Sequence, residues 1–383
     1  MRFFNICFIF IFLLMISFPL VFIDLSSGDR VSVPENRTLA KFPNMNDLKH
    51  HQGQFIRDFD AWFKDSTGFR QQFLALYNVI TQDNWLNGVK FTDGTYLFLV
   101  GEQGNLFWAG PADRLLTQFF QGKPYLSDEQ LETMAVKLEK VKKYLDKQGI
   151  PFIVMFYTMK ESIYPELYPK AIIRGPEPIP LDVLTNYIND HTSVDVFNIR
   201  KALLEEKENY LLYPVNGDTN AITHCNKIGA FFAYRELMRH INKYFPELTS
   251  LELNDIIISY DKNMISHVSL KTGKNYKQLP ASFFDGVNFA DIPFFASSFN
   301  HAFENKDTDL PVILLLRTSF SNEDMSGDFI AQTFSKTIMT HFVNMEYIEE
   351  YVSRFKPDIV IFETVERQLD MFAEAVNRIP ELP

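Results

Sequence analysis

The stretch Pro311-Val-Ile-Leu-Leu-Leu-Arg-Thr-Ser-Phe320 is an apolar run of strand length that ends in polar residues at Ser319. A continuous apolar run bounded by turn signals is typical of a strand that is buried on both faces. Many α/β enzymes present a nucleophile at the carboxyl end of such a strand. A serine at this place also commonly begins a turn and does nothing more, so the stretch predicts a buried strand and makes Ser319 a candidate.

The composition sets outer limits on fold and function. The chain has 383 residues, of which 46% are hydrophobic, and this is enough for one large domain or two modest ones. Its 37 basic and 48 acidic residues give a formal charge of -11, which argues against DNA or RNA as partners. The two cysteines are Cys7 and Cys225, and the eight histidines lack zinc-ligand spacing, so we predict no disulfide, metal or cofactor.

The N-terminus carries a long apolar run. Residues 3–23 are nearly all apolar, and about twenty such residues span a bilayer as a helix. The small residues Ser26-Ser27-Gly28 leave a cleaved signal peptide as the alternative, and Arg2 favours a cytoplasmic N-terminus. We predict an attachment to the cytoplasmic membrane with the remaining chain extracytoplasmic, either periplasmic or at the cell surface. The predicted parts are a membrane anchor at 1–23, a juxtamembrane linker at 24–45 and an α/β domain at 46–383.

Helical and strand patterns alternate through the chain after residue 126. Ser127-Asp-Glu-Gln130 is a capping-box pattern that predicts a helix start, and the apolar run at 150–157 predicts a buried strand after that helix. Helices that feed buried strands are the repeating unit of an α/β sheet. We also predict a helix at 48–63 facing the core, a strand at 194–199, and helices at 200–208, 226–244 and 346–355. Residues 356–364 predict a helix end, a turn and a buried strand.

A serine nucleophile needs a base, and His224 is the best candidate. It lies on a predicted loop two residues before Asn226, which suits the N-cap of a helix. The alternative is that His224 packs against the helix start. Asp218, upstream in the same loop, is placed to orient the imidazole, but it suits a plain turn equally well. Cys225 is a weaker candidate nucleophile, because adjacent residues on one loop rarely present both side chains to one atom.

A series of short motifs follows the apolar N-terminus in a specific order. They are Glu35-Asn-Arg-Thr-Leu39, Phe42-Pro43, Gly101 to Phe107, Gly110-Pro-Ala-Asp113, Lys160 with Tyr164-Pro-Glu166, Thr223-His-Cys-Asn226 with Gly229-Ala230, Arg317-Thr-Ser-Phe320, and Pro357-Asp-Ile-Val360 with Glu366-Arg367. This order resembles the AlgJ/AlgX-like group of SGNH-hydrolase-like proteins, also called the DHHW family. These are extracytoplasmic O-acetyltransferase components of bacterial polysaccharide modification.

The resemblance implies a fold, a site and a reaction. The fold would be a flavodoxin-like, SGNH-hydrolase-type α/β domain with permuted chain order. Ser319 would match the nucleophile and His224 the histidine of an Asp-x-His-Trp-Asn motif, with Asp218 as the third member. An acetyl group, supplied by a membrane-bound O-acyltransferase, would pass through an acyl-serine to a polysaccharide acceptor. The predicted substrate-binding residues are Asn226, Arg317, Lys160, Glu366 and Arg367, although ion pairing at a sheet edge explains the charged ones, and Glu363, equally well.

Three positions depart from the family pattern. Ile222 stands where an aspartate precedes the histidine, Cys225 where a tryptophan follows it, and Thr318 where an acid often precedes the nucleophile. Asp218 reaches back across the loop, or the site works as a dyad, or activity is lost. O-acetyl transfer is the leading prediction, and a carbohydrate acetylesterase of the same fold or a non-catalytic polysaccharide-binding or scaffold subunit are the alternatives. A contact of roughly 3 Å between Ser319 and His224 would favour an enzyme.

Overall fold

The computed structural model describes most of the chain after residue 126 and parts of it before. The ranges are 37–45, 47–50, 52–66, 89–92, 96–108, 126–169, 177–215, 222–261, 265–290 and 299–383, with residues 12, 17, 22–23 and 31–32 nearer the N-terminus. The predicted anchor at 1–23 lies almost wholly outside these ranges. Within them, no helix is both long and apolar enough to cross a membrane.

The chain forms two compact units. The first comprises residues 1–100 with 108–112, and the second comprises 101–107 with 113–383. Among its described residues, the first unit contains short strands and two helices: β1 (Val31–Ser32), β2 (Arg37–Thr38), α1 (Asp47–His50), α2 (Gln52–Ser66), β3 (Val89–Thr92) and β4 (Tyr96–Val100). On α2 the predicted core-facing pattern is met in part, because Trp62 is buried whereas Phe59 is 39% exposed.

The second unit holds the remaining strands and helices. Strand β5 (Leu106–Trp108) contributes its first two residues to it. The other strands are β6 (Phe152–Tyr157), β7 (Asp195–Asn198), β8 (Ile256–Tyr260), β9 (Ser266–Leu270), β10 (Tyr276–Gln278), β11 (His301–Asn305), β12 (Val312–Arg317), β13 (Lys336–His341) and β14 (Ile359–Val365). The helices are α3 (Asp128–Asp146), α4 (Lys160–Ile163), α5 (Pro180–His191), α6 (Arg200–Glu206), α7 (Lys227–Ile241), α8 (Asp328–Thr333), α9 (Ile348–Phe355) and α10 (Leu369–Asn377).

A seven-stranded, mostly parallel sheet forms the centre of this unit, which confirms the predicted mixed α/β class. Its order is β10-β11-β13-β12-β14-β6-β7, and the five strands from β13 to β7 are parallel. Strands β10 and β11 add an antiparallel edge. Numbered along the chain, the parallel strands read 4-3-5-1-2, a cyclic permutation of the flavodoxin-like order 2-1-3-4-5. Strand β12 occupies the position of the first flavodoxin strand.

Local signals set the ends of several elements where the sequence predicts them. The side chain of Ser127 accepts from the backbone N–H of Gln130 and completes the capping box at the start of α3. Asn226 is the N-cap of α7, which ends at Ile241 rather than near residue 244. The strands predicted around 150–157 and 194–199 are β6 and β7. Every residue of β14 is buried, which is what a central parallel strand covered on both faces requires.

The order of the strands locates the site. Parallel strands place their carboxyl ends at one edge of the sheet, and the switch point of the permuted flavodoxin-like order lies between β12 and β14. Ligands of open α/β sheets bind in the crevice outside this edge at the switch point. Ser319 follows β12 by two residues, so it lies at that crevice.

Candidate active site

Ser319 and His224 form a direct hydrogen bond across the carboxyl edge. The imidazole Nε2 of His224 lies 2.6 Å from the hydroxyl Oγ of Ser319. Both side chains are half-buried, so each retains access to solvent. A general base must lie about 2.6–3.2 Å from the proton that it removes, and this pair meets that requirement.

The turn that carries Ser319 is tightly constrained. The carbonyl oxygen of Ser319 accepts the backbone N–H of Asn322 at 3.2 Å. At Gly327, a Cβ atom would lie 2.7 Å from the carbonyl oxygens of Ser321 and Asn322, so this place in the turn admits glycine alone. The ring of Phe320 packs against His224 with 4.7 Å between centroids. The turn therefore positions the serine and supports the imidazole at the same time.

The His224 loop is held from the opposite side. The side-chain amide of Asn226 donates to the carbonyl of Leu211 at 2.8 Å and accepts the backbone N–H of Ser266 at 3.1 Å. At Gly229, a Cβ atom would lie 2.7 Å from the carbonyl oxygen of Leu212, so α7 approaches this segment closely. Asn226 is 2% exposed, and the structure places it as a support of the loop.

The second nitrogen of the imidazole has a hydroxyl partner. Nδ1 of His224 lies 3.0 Å from Oγ1 of the preceding residue, Thr223. Sequence reasoning missed this contact, because nothing in a sequence indicates that neighbouring side chains meet in this way. Asp218, the predicted orienting carboxylate, lies outside the described residues, within 216–221.

A buried carboxylate holds Thr318, the residue before Ser319. Glu363 on β14 accepts the backbone N–H of Thr318 at 2.9 Å and its hydroxyl at 2.7 Å. Burial raises the pKa of Glu363 to about 7, against the lowering effect of these bonds and of the Arg317 charge. In the sequence, Thr318 stands where the family pattern often has an acid. In the structure, the neighbouring strand β14 brings the carboxylate of Glu363 to Thr318.

Arg317 lies beneath the turn that carries Ser319 and is fully buried. Its guanidinium donates to the carbonyl of Thr318 at 3.0 Å, to the carbonyl of Phe299 at 3.1 Å, and to the side-chain oxygen of Asn322. Burial lowers the pKa of Arg317 to about 10, and burial beside this cation lowers the pKa of His341 to about 3. This predicted substrate-binding residue thus contacts the turn itself.

Two other predicted substrate-binding residues are also buried. Lys160, 2% exposed, donates through Nζ to the carbonyls of Pro214 at 2.6 Å and Leu106 at 3.1 Å, and burial lowers its pKa to about 7. Glu366, 1% exposed, accepts from the backbone N–H of Met159 at 2.8 Å and from the hydroxyl of Ser162. Burial raises the pKa of Glu366 to about 7. Both side chains anchor the loops around the crevice.

Arg367 is partly exposed and lies beside the pair. Its guanidinium stands over the Phe320 ring at 5.8 Å and donates to the carbonyl of Thr223 at 3.2 Å. It is the predicted substrate-binding residue nearest to solvent, and it braces both loops of the site.

A cysteine nucleophile and a metal site both receive less support than a serine site. Cys225 is 4% exposed, and burial raises the pKa of its thiol, which keeps it protonated. Among the described residues, no group of three or more histidine, cysteine, aspartate or glutamate side chains is arranged to hold a metal ion. The arrangement that the structure does provide is a serine with an imidazole base.

No protein-family model matches the sequence, and no curated protein matches it significantly. Solved structures do match. A DHHW family protein from Eubacterium siraeum aligns with a TM-score of 0.50 and 12% identity over 75% of this chain and 96% of its own. Bacillus cereus PatB1 with a sulfonyl adduct aligns with a TM-score of 0.52 and 12% identity over 77% of this chain and 99% of its own.

A looser alignment involves the O-acetyltransferase domain of Pseudomonas putida AlgJ. It has a TM-score of 0.40 and 12% identity over 73% of this chain and 98% of that domain, and it adds nothing to the fold assignment. At these identities the two better alignments establish the fold alone. The chain therefore has the α/β fold of the Eubacterium siraeum DHHW family protein and of Bacillus cereus PatB1.

Proposed function

We propose that this protein is an O-acetyltransferase that passes an acetyl group through Ser319 to a hydroxyl of an extracytoplasmic polysaccharide. The observation that carries the proposal is the 2.6 Å contact between His224 Nε2 and Ser319 Oγ at the carboxyl edge of the sheet. The fold shared with PatB1, whose structure carries a sulfonyl adduct, supports a reactive nucleophile on this scaffold.

The proposed reaction has two acyl-transfer steps. Ser319 Oγ bonds to the acetyl carbon of the donor while His224 Nε2 takes the hydroxyl proton, and the leaving oxygen departs with that proton. His224 then takes a proton from an acceptor hydroxyl, whose oxygen attacks the acetyl-serine ester. Ser319 leaves as the alcohol with the proton from His224, so each cycle returns the enzyme unchanged. Backbone N–H groups of the turn at Ser319 stabilise the oxyanion in both steps.

The proposal places the reaction outside the cytoplasm. It assigns residues 1–23 to a membrane anchor and the donor acetyl group to a membrane-bound O-acyltransferase, which would deliver acetyl groups from the cytoplasmic side. The apolar run at 3–23 supports the anchor. Neither a metal nor a cofactor takes part in the proposed chemistry.

The first test measures acetyl release from p-nitrophenyl acetate by the full-length protein. We expect Ser319→Ala and His224→Ala each to lower turnover by at least about 10³-fold while the far-ultraviolet circular dichroism stays unchanged. Ser282→Ala, which truncates an exposed serine elsewhere in the same unit, is the matched control and should retain full activity. Wild-type turnover equal to that of Ser319→Ala would remove the catalytic proposal and leave a binding or scaffold subunit.

A labelling experiment reports on the nucleophile without an acetyl donor. An aryl sulfonyl fluoride should form a sulfonate ester at Ser319 with loss of fluoride, and mass spectrometry should find the adduct on the peptide that contains this residue. The His224→Ala variant should label far more slowly, because the proton on Oγ then has no base. Labelling at other serines, with Ser319 unmodified, contradicts the assignment.

A third experiment identifies the group that orients His224. If the Thr223 hydroxyl is the functional partner of Nδ1, Thr223→Val should lower turnover by roughly tenfold and Asp218→Asn should have a smaller effect. If Asp218 completes a triad, Asp218→Asn should instead lower turnover by up to about 10⁴-fold, because the imidazole then loses the correct tautomer. Adding an acceptor oligosaccharide to either assay separates transfer from hydrolysis, since acetylated sugar forms only in transfer.

A further inference from the structure

A polar depression of ≈ 470 Å³ lies in the same compact unit as the Ser319–His224 pair. Two of its lining residues connect it to the site. Asn322 donates its backbone N–H to the carbonyl of Ser319 at 3.2 Å, and Lys227 begins α7 three residues after His224. The depression is therefore lined by one residue that lies three positions along the chain from each member of the pair.

The side chains that line the depression are polar or charged. Besides Asn322 and Lys227, they include Lys274, Glu323, Asp324 and Asp328. Their hydrogen-bonding groups suit a ligand rich in hydroxyl groups better than an apolar ligand, which would remove water from them without replacing its hydrogen bonds. His301, which begins β11, closes the depression on the side of the antiparallel edge.

The ammonium groups in this depression are already neutralised. Lys227 pairs with Asp328 at 2.6 Å, and Lys274 pairs with Glu323 at 2.8 Å and with Asp328 at 2.9 Å. The hydroxyl of Tyr276 also donates to Asp328, so this carboxylate is held in place by three groups. Neither lysine is left as an unpaired cation for an anionic ligand.

Two groups in the lining retain capacity for a ligand. Asp324 is exposed and has no ion-pair partner among the residues that the structure describes. The side-chain oxygen of Asn322 accepts from Arg317, which leaves the amide nitrogen as its donor for a ligand. Two ammonium groups face three carboxylates, so the depression is net negative and repels polyanions.

We propose that this depression binds the acceptor of the transfer reaction, and that the acceptor is an uncharged, hydroxyl-rich saccharide rather than a uronic-acid polymer. The inference rests on the proposed function, because the bound sugar must present a hydroxyl to the acetyl group on Ser319. Asp324 accepts hydrogen bonds from sugar hydroxyls, and the Asn322 amide donates to a sugar oxygen.

The test measures binding in the absence of turnover. The full-length Ser319→Ala variant is titrated with cellohexaose and with a galacturonate hexamer at low salt, followed by saturation-transfer NMR and calorimetry. We expect cellohexaose to bind at least about tenfold more tightly than the galacturonate. Adding Asp324→Lys should raise galacturonate affinity and reverse this preference. Asp190→Asn, which neutralises an exposed aspartate on α5, is the charge control and should leave both affinities unchanged.

The outcomes separate this inference from the proposed function. Galacturonate binding as tight as cellohexaose binding, or a preference that Asp324→Lys leaves unaltered, overturns the inference, even if wild-type protein releases acetyl through Ser319. Selective cellohexaose binding that responds to Asp324→Lys supports the saccharide site, even if wild-type protein proves unable to transfer acetyl groups. Acetylated cellohexaose in the wild-type reaction supports both.

Discussion

Two groups of buried ionisable side chains, one at each edge of the central sheet, are held in opposite ways. At the carboxyl edge, burial raises the pKa values of Glu363 and Glu366 to about 7 and lowers that of Lys160 to about 7. These groups bond mainly to neutral partners, namely backbone N–H groups, hydroxyls and carbonyls. Burial there favours the uncharged form of each group.

At the amino edge, charges are paired with charges. Asp195, the first residue of β7, lies 2.7 Å from Nδ1 of His240 and 2.9 Å from Lys243. Burial alone would raise the pKa of Asp195 and lower that of His240, but their mutual bonds reverse both shifts. Burial also raises the pKa of Glu236, but bonds to His240 and Arg239 outweigh this effect and lower it to about 2.

The difference shows what each edge is suited to. Opposite charges at the amino edge fix one protonation state over a wide pH range, which suits a purely structural role. Isolated buried groups at the carboxyl edge remain near their titration points at neutral pH. Shifts of this kind cluster at functional sites, and here one of the shifted groups, Glu363, bonds to Thr318, the residue before Ser319.

The largest effect should come from removing the buried amino group of Lys160. Lys160→Met leaves the carbonyls of Leu106 and Pro214 without the ammonium donor, and we expect a loss of about 3 kcal/mol in the free energy of unfolding. Urea unfolding of the full-length protein, followed by circular dichroism at pH 7, measures it. A loss below about 1 kcal/mol would mean that the ammonium is dispensable for this loop.

The second effect is a pH dependence of stability with an unusual sign. Because the folded pKa of Glu366 is raised from 4.5 to about 7, the folded state binds more protons than the unfolded state between these values, and stability falls as pH rises through them. At about 1.4 kcal/mol for each pKa unit, this fall is roughly 3 kcal/mol.

Glu366→Gln should abolish this part of the pH dependence. Urea midpoints of wild type and variant at several pH values between 4.5 and 7 give the difference in stability. The wild type should lose its advantage over the variant progressively as pH rises. Parallel profiles for the two proteins would show that Glu366 does not titrate in this range.

The third effect tests the amino edge. Asp195→Asn breaks the charge-assisted bonds to His240 and Lys243, and we expect a loss of about 2 kcal/mol at pH 7. Since the folded pKa of Asp195 lies below 3.8, the stabilisation is present above that value and disappears as pH falls through the folded pKa. Thermal unfolding at pH 7 and pH 3 provides the comparison, with Asp190→Asn as an exposed control that changes little.

The smallest effect should come from Lys243→Met, which is the counterpart at the amino edge of the Lys160→Met variant. The Lys243 side chain is 49% exposed, and solvent screens its bond to Asp195, so we expect a loss of about 0.5 kcal/mol or less. The same urea unfolding protocol applies. If the two lysine variants lose equal stability, the contrast between the two edges does not hold.

Much of the fold follows from local patterns. The buried run at β12, the capping box at Ser127 and the N-cap at Asn226 each predict an element that the structure contains. Boundaries shift by a few residues, because helix and strand ends depend on neighbours that are distant in the chain. The antiparallel edge of β10 and β11 escaped prediction, since its short, polar strands are stabilised by pairing rather than by an apolar pattern.

The sequence by itself determined the α/β class, the strand that ends near Ser319 and the two candidates Ser319 and His224, because periodicity and turn residues are local properties. Only the tertiary structure brought these two side chains, 95 residues apart in the chain, within 2.6 Å of each other. It also assigned Glu363 to Thr318 and the Thr223 hydroxyl to the imidazole. Such contacts depend on strand order and on the direction of each side chain, and neither is encoded in the spacing of residues along the chain.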